Sequence, residues 1–340
     1  MAHKNVVSRQ RVCLALAGFC MLLLLSSPFS RAQSAEDVHV VPRTDQNQKV
    51  PATDVPPAND AAPHAYVKPI RVNVDLVLVP VAVTDSMNRP VVNLTKQDFA
   101  LYDGETAQEI RYFMSGEEPI SIALLFDASR SMTDKIDTER AAMHEFFKNA
   151  NPEDEYFAIA FSNRPRLLVG PTESTDEVEE KLTSIQPGGT TAMLDAIYLA
   201  ESELRFARYQ RKAIVILSDG GDNTSRYTLR QVKKLIEESD TQIYAIGLFE
   251  TFLFSTIEEK LGKKWLSEIT DRTGGRTITV QDRTKLPEAT GIISREMRNQ
   301  YILGYRPIVG DGKWRKIRVR VTSEQSVRAY YKGGYYSAEK

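Results

Sequence analysis

The chain is nearly devoid of cysteine. Only Cys13 and Cys20 occur among its 340 residues, both in an apolar stretch near the amino terminus. The remainder therefore has no disulfide, no thiolate zinc site and no cysteine nucleophile. Histidine is scarce as well. His3 lies in the amino-terminal segment, His39 and His64 in a proline-rich stretch, and His144 beside Phe146 and Phe147 in an amphipathic pattern. None is placed as the base of a Ser-His-Asp arrangement. Neither charge is in excess: 44 Lys+Arg face 45 Asp+Glu, for a net charge of −1. No basic surplus points to nucleic acid, and there is no long block of like charge. The apolar stretch 12–25 falls short of the roughly 20 residues that a membrane-spanning helix needs. The glycine-containing stretch Pro187-Gly188-Gly189-Thr190-Thr191 lacks the lysine of a nucleotide-binding loop.

What the amino terminus does have is the pattern of a targeting segment. His3, Lys4, Arg9 and Arg11 flank the apolar stretch, and Ser30-Arg31-Ala32 offers small residues for cleavage after Ala32. Residues 1–32 are thus expected to be a signal peptide, an uncleaved anchor being the other reading. Lipid attachment at Cys20 is disfavoured by the bulky Phe19 and by the leucines that follow. Residues 33–69 contain Pro42, Pro51, Pro56, Pro57 and Pro63 among Asp, Asn, Gln and Ala, a composition that supports no core and reads as a disordered linker.

The rest of the chain is organised around Ser121 to Met132, SIALLFDASRSM. Ile122 to Phe126 has no polar side and fits a strand buried on both faces of a parallel sheet. At Asp127 the chain turns polar. A loop there can aim the oxygens of Asp127, Ser129 and Ser131 inward, a donor set suited to a hard divalent cation. The same residues also fit a plain polar loop in which Ser131 or Thr133 caps the next helix. Two further stretches place oxygens where a strand or loop gives way to a helix: Gly188-Gly189-Thr190-Thr191 and Leu217-Ser218-Asp219-Gly220-Gly221-Asp222-Asn223.

With these residues the sequence resembles the von Willebrand factor A family, whose metal-ion-dependent adhesion site combines Asp-x-Ser-x-Ser, a threonine and a later aspartate. The resemblance covers roughly residues 119–300. It implies that Asp127, Ser129, Ser131, Thr191 and Asp219 hold Mg2+ or Mn2+, the serines directly, with Thr190, Asp195 and Asp222 as possible supporting residues. Thr191 is preferred to Thr190 because the family pattern sets four residues from the threonine to the aspartate that Asp195 matches. Arg130 departs from the small residue usual between the two serines, and its side chain is expected to face away from the ion. The whole chain looks like a bacterial secreted protein carrying such a domain.

Strands are expected at 121–126, 156–161, 166–169, 213–218, 242–248 and 276–280. Helices are expected at 138–149, 175–185, 191–206, 228–238, 264–273 and 286–299. This alternation predicts an α/β fold, a doubly wound, mostly parallel sheet over residues 118–300. The short link between 156–161 and 166–169 makes the second of these one antiparallel edge strand. Residues 70–117 read as a thin β unit, with a long strand over 70–83, a turn at 85–90, a short strand at 91–92, a helical turn at 94–99 capped by Thr95, strands at 99–102 and 110–113, and a hairpin signal at Asp103-Gly104. Strands at 301–305, 314–321 and 327–331 are expected to complete it as a split β-sandwich, with Gly310-Asp311-Gly312 as a hairpin turn. Lys316, Arg318 and Arg320 form its solvated basic face.

Two serines and a threonine are neutral, so an ion held there keeps positive charge and can take an anionic ligand. Without the ion, Asp127 and Asp219 repel each other, by on the order of 4 kcal/mol at ~4 Å and an effective dielectric of 20. The expected role is that of an exported, periplasmic or extracellular, non-enzymatic module that captures an Asp or Glu carboxylate of a partner protein. The alternatives are a structural scaffold binding through its β-sandwich, and a Mg2+-dependent phosphotransferase with Asp127 as nucleophile. The latter lacks the second aspartate of its motif, since Ser129 stands there.

Overall fold

The computed structural model describes residues 76–116, 118–249, 257–307, 311–323 and 326–337. The expected signal peptide, the linker and the first part of the 70–83 strand lie outside these residues. All described elements belong to the unit Pro69–Lys340.

Four short strands come first: β1 (Val77–Asp85), β2 (Phe99–Asp103), β3 (Thr106–Gln108) and β4 (Tyr112–Ser115). An alternating set follows: β5 (Ser121–Asp127), α1 (Ile136–Phe147), β6 (Glu155–Phe161), β7 (Pro165–Thr172), α2 (Thr175–Thr183), α3 (Met193–Leu204), β8 (Lys212–Ser218), α4 (Leu229–Glu238), β9 (Gln242–Leu248), α5 (Ile257–Thr273), β10 (Thr277–Val280) and α6 (Leu286–Arg298). The chain closes with β11 (Gln300–Tyr305), β12 (Trp314–Val321), β13 (Val327–Tyr331) and β14 (Gly334–Tyr336).

The apolar runs of β5, β6 and β9 are buried along their whole length, as central strands covered on both faces must be. They lie in a six-stranded sheet of order β10-β9-β8-β5-β6-β7, parallel except where β7 pairs antiparallel with β6. Residues of α1, α2 and α6, including Met143, Phe146, Leu182, Ile293 and Met297, pack on one face. Residues of α3, α4 and α5, including Met193, Ile197, Val232 and Leu266, pack on the other. The order reverses between β5 and β8. Open α/β sheets place their sites outside the carboxyl ends of the strands at such a switch point.

A β-sandwich is built from strands on either side of this alternating set. One sheet has the order β13-β1-β11-β4 and the other β14-β12-β2-β3, each antiparallel throughout. Val79, Val81 and Val83 of β1, Leu101 of β2, Tyr301 and Leu303 of β11, and Ile317 and Val319 of β12 fill the space between them.

Several local expectations are corrected. Residues 91–92 form no strand: Pro90 makes a single bridge to Thr84, and a residue without an N–H cannot carry a ladder onward. The strand expected at 110–113 begins at Tyr112, because the Ile110 side chain is used in the sandwich core. The strands after residue 300 do not pair with one another in sequence. β11 lies between β1 and β4 and is buried throughout, whereas β12 joins the opposite sheet. The expected 310–312 turn begins outside the described residues; its described part, Asp311 and Gly312, lies between β11 and β12, which belong to opposite sheets. Helix α3 starts at Met193, leaving Thr191 in the preceding loop, and α5 starts at Ile257, earlier than expected. Lys316 and Arg320 are exposed, as the alternation of β12 requires.

Candidate metal site

Three loops meet at the switch point, and backbone bonds join each to the next. The loop after β5 is tied to the one before α3 by Arg130 N donating to Gly189 O (3.2 Å) and Gly188 N to Ala128 O (2.8 Å). The loop before α3 is tied to the one after β8 by Asn223 N donating to Thr191 O (3.0 Å) and by Thr191 N donating to Asn223 Oδ1 (3.0 Å). The circuit closes where Ser218 Oγ donates to Asp127 Oδ2 (2.5 Å) and accepts from Gly220 N (2.9 Å). Gly220 holds a positive φ of 79° and lies against the backbone of Gly262 in α5, where an added Cβ would come within 2.8 Å of the Gly262 carbonyl carbon. Only glycine takes both that dihedral and that approach without strain.

Within this frame Asp127, Ser129, Thr191 and Asp219 are buried, while Ser131 is exposed. Asp127 Oδ1 accepts from Ser129 N (2.9 Å), and the hydroxyls of Ser129 and Ser131 are 3.0 Å apart. Thr191 Oγ1 and Asp219 Oδ1 converge on Gly221: a Cβ there would lie 4.0 Å from the first and 3.6 Å from the second. Gly221 thus leaves open the space these two oxygens face. Arg130 is exposed. Burial, reinforced by the charge of Asp219, pushes the Asp127 carboxyl up to about 7. The donor set is entirely oxygen, from two carboxylates and three hydroxyls, and fits a hard cation such as Mg2+ or Mn2+.

The supporting residues have other duties. Thr190 is exposed, and its N and Oγ1 both donate to Asn163 Oδ1 (2.8 and 2.7 Å). Asp222 Oδ2 accepts from Leu194 N (2.8 Å) and Ser225 Oγ (2.6 Å) at the start of α3. Asp195 Oδ1 accepts from Arg226 N (2.9 Å) and Tyr227 N (3.1 Å). These two aspartates brace the loops around the buried oxygens.

Two residues absent from the sequence reading join the site from α1 and its approach. Lys135 is buried and its Nζ lies 3.4 Å from Asp219 Oδ2, so a fixed cation already faces the carboxylates. Glu139 is 1% exposed, and among the described residues no side chain donates a hydrogen bond to its carboxylate. Burial, then the nearby charge of Asp127, raises its carboxyl well above the usual range. The signal was available in the spacing. Ile136, Glu139, Met143 and Phe146 are all buried on α1, and a glutamate in an apolar helical register marks a purposeful buried charge. Among the described residues no cluster of three or more His, Cys, Asp or Glu side chains is arranged as a metal cage. The hydroxyls carry that part of the donor set.

Residues 122–221 match the family model described as von Willebrand factor type A domain, so this stretch of the chain is a von Willebrand factor A-type domain. Domains of this kind are in general interaction modules. The chain is 26% identical over 152 residues to an uncharacterized protein of Borreliella burgdorferi, covering 40% of this chain and 45% of that one. It therefore spans less than half the length of that relative. Among solved structures, it is similar to a von Willebrand factor type A protein from Catenulispora acidiphila, at 14% identity and TM-score 0.47, covering 73% of this chain and 76% of that one. It is also similar to proximal thread matrix protein 1 of the mussel byssus with a zinc-occupied MIDAS motif, at 18% identity and TM-score 0.47, covering 58% and 50%.

Proposed function

We propose that this protein is an exported binding module in which Asp127, Ser129, Ser131, Thr191 and Asp219 hold Mg2+ or Mn2+, and the ion captures an Asp or Glu carboxylate of a partner protein. The observation that carries this reading is the closed circuit of three loops around oxygens that are buried yet only partly engaged with protein donors. Buried carboxylates are costly unless paired or coordinated, and the hydroxyl donors leave a bound divalent ion with charge for an anionic ligand. The reading includes no catalytic step, because no histidine stands at the site and Ser129 occupies the place of a phosphotransferase's second aspartate. Export rests on residues 1–32. Among the described residues no helix is long and apolar enough to cross a membrane.

Titration calorimetry with Mg2+ and with Mn2+ tests the site. The wild-type chain is expected to bind one ion saturably, and Asp127→Ala and Asp219→Ala to bind none while keeping their circular dichroism. Unchanged binding in both variants would overturn the assignment.

A further inference from the structure

Beside the candidate site, a cleft of about 450 Å³ runs along α3, floored by Tyr198, Leu199 and Tyr227 and edged by Arg164, Arg205 and Arg226. Tyr198 and Tyr227 stack face to face with ring centroids 3.7 Å apart and planes 5° from parallel, so the floor is flat and firm. The cleft borders the loop circuit at several points. Arg164 follows Asn163, the acceptor for Thr190. Arg226 follows Ser225, the donor to Asp222. Asp195, in the first turn of α3, lies four residues beyond Thr191.

The charge in this cleft is available rather than internally cancelled. Arg164 and Arg205 are exposed, and among the described residues no ion pair or hydrogen bond engages either guanidinium. Arg226 uses Nε on Asp195 Oδ2 (3.1 Å), and its side chain is 78% exposed, leaving the terminal nitrogens free. Of the two lining carboxylates, Asp195 is taken up by Arg226 and two backbone N–H groups. The other, Glu201, is buried, its Oε2 accepting from Ser239 (2.9 Å) and Thr241 (3.1 Å). Burial raises its carboxyl.

We infer that this cleft is a second recognition site, which takes an extended acidic peptide segment whose carboxylates pair with Arg164, Arg205 and Arg226. Guanidinium forks match carboxylates in two-point contacts, and the tyrosine floor accepts the aliphatic stems of Glu side chains. The stretch of α3 from Asp195 to Arg205 is about 15 Å long at 1.5 Å per residue. That length suits four or five extended residues at about 3.3 Å each. The inference deepens the cation-dependent reading and rests on it only for the order of contacts: one carboxylate at the ion, the following ones along α3.

The test uses fluorescein-labelled hexaglutamate and hexaglutamine peptides, read by fluorescence anisotropy with the full chain in Mg2+ and in chelator. The wild type is expected to bind hexaglutamate in both conditions, more tightly with Mg2+, and not to bind hexaglutamine. Arg164→Gln/Arg205→Gln should weaken binding at least tenfold in both conditions. Asp219→Ala should lose only the increment due to Mg2+. If Mg2+ adds nothing to wild-type binding while the double variant still loses it, the cleft stands and the cation reading falls. Equal binding by the double variant and the wild type overturns the cleft. So does binding to a sulfated oligosaccharide tighter than to hexaglutamate, which would assign the arginines to a glycan.

Discussion

The two ends of the central sheet bury charge in opposite ways. At the amino ends of the strands, Asp154 just before β6 accepts from Ile120 N, Asn151 N, Tyr156 Oη and two nitrogens of Arg298. That carboxylate is fully buried and surrounded by donors. At the carboxyl ends, Asp127, Glu139 and Asp219 are buried with one ammonium, Lys135, beside Asp219, and among the described residues no side chain donates to Glu139. The first arrangement resists change because the Asp154 carboxylate is satisfied within the protein. The second holds carboxyls raised by burial and by one another's charge, on which a change in pH can act.

The largest effect should come from breaking the satisfied end. Arg298→Met leaves the Asp154 carboxylate buried without its cation, a change that typically costs about 3–5 kcal/mol. Urea unfolding should show that loss.

Next in size is a pH dependence confined to the carboxyl end. The Asp127 carboxyl is near 3.8 in the unfolded chain and about 7 in the folded one, so between these values the folded state holds a proton that the unfolded state has released. Stability of the metal-free protein is then full below pH 3.8 and falls as pH rises toward 7, by up to about 1.4 kcal/mol per pH unit for one proton. The raised carboxyl of Glu139 adds in the same direction. Thermal melts in chelator from pH 4 to 8 should show this decline, and Asp127→Asn should flatten it. A rise in stability with pH in wild type would contradict the arrangement.

Lys135 gives a smaller and more pointed test. Its ammonium neutralises part of the carboxylate charge and opposes an entering cation. Lys135→Met is expected to tighten Mg2+ binding about tenfold, worth about 1.4 kcal/mol, and to lower the melting temperature in chelator. Calorimetry and melting curves on one preparation check both.

The smallest expected effect separates neighbouring threonines. Thr190→Val should leave Mg2+ affinity within about twofold, since its hydroxyl is bonded to Asn163, while Thr191→Val should weaken binding clearly. The reverse result would move the ligand by one residue.

These contrasts were unequally visible in the sequence. The six strands of the central sheet were legible because β5, β6, β8 and β9 are near-continuous apolar runs, and burial on both faces admits few other residues. The meeting of Asp127, Thr191 and Asp219 was legible only through a motif, since 64 and 28 residues separate them in turn. In the sandwich, alternation shows which face of β11 or β12 is buried but not which strand lies alongside. The exchange of β11 and β12 between sheets was therefore hidden. Lys135 and Glu139 were overlooked because polar residues at the head of a helix ordinarily face water, and here both turn inward.

The contact between Gly220 and Gly262 bears on how the sequence can vary. A Cβ at Gly262 would lie 2.0 Å from the carbonyl oxygen of Gly220, and one at Gly220 would lie 2.8 Å from the carbonyl carbon of Gly262. Each residue is obstructed by the main chain of the other, and no exchange of side chains elsewhere can trim a main chain. Compensation by a second substitution is thus closed off, and the two positions should be lost or kept together. In a saturation library selected for folded protein, alanine should be depleted at both, and pairing the two alanines should rescue neither.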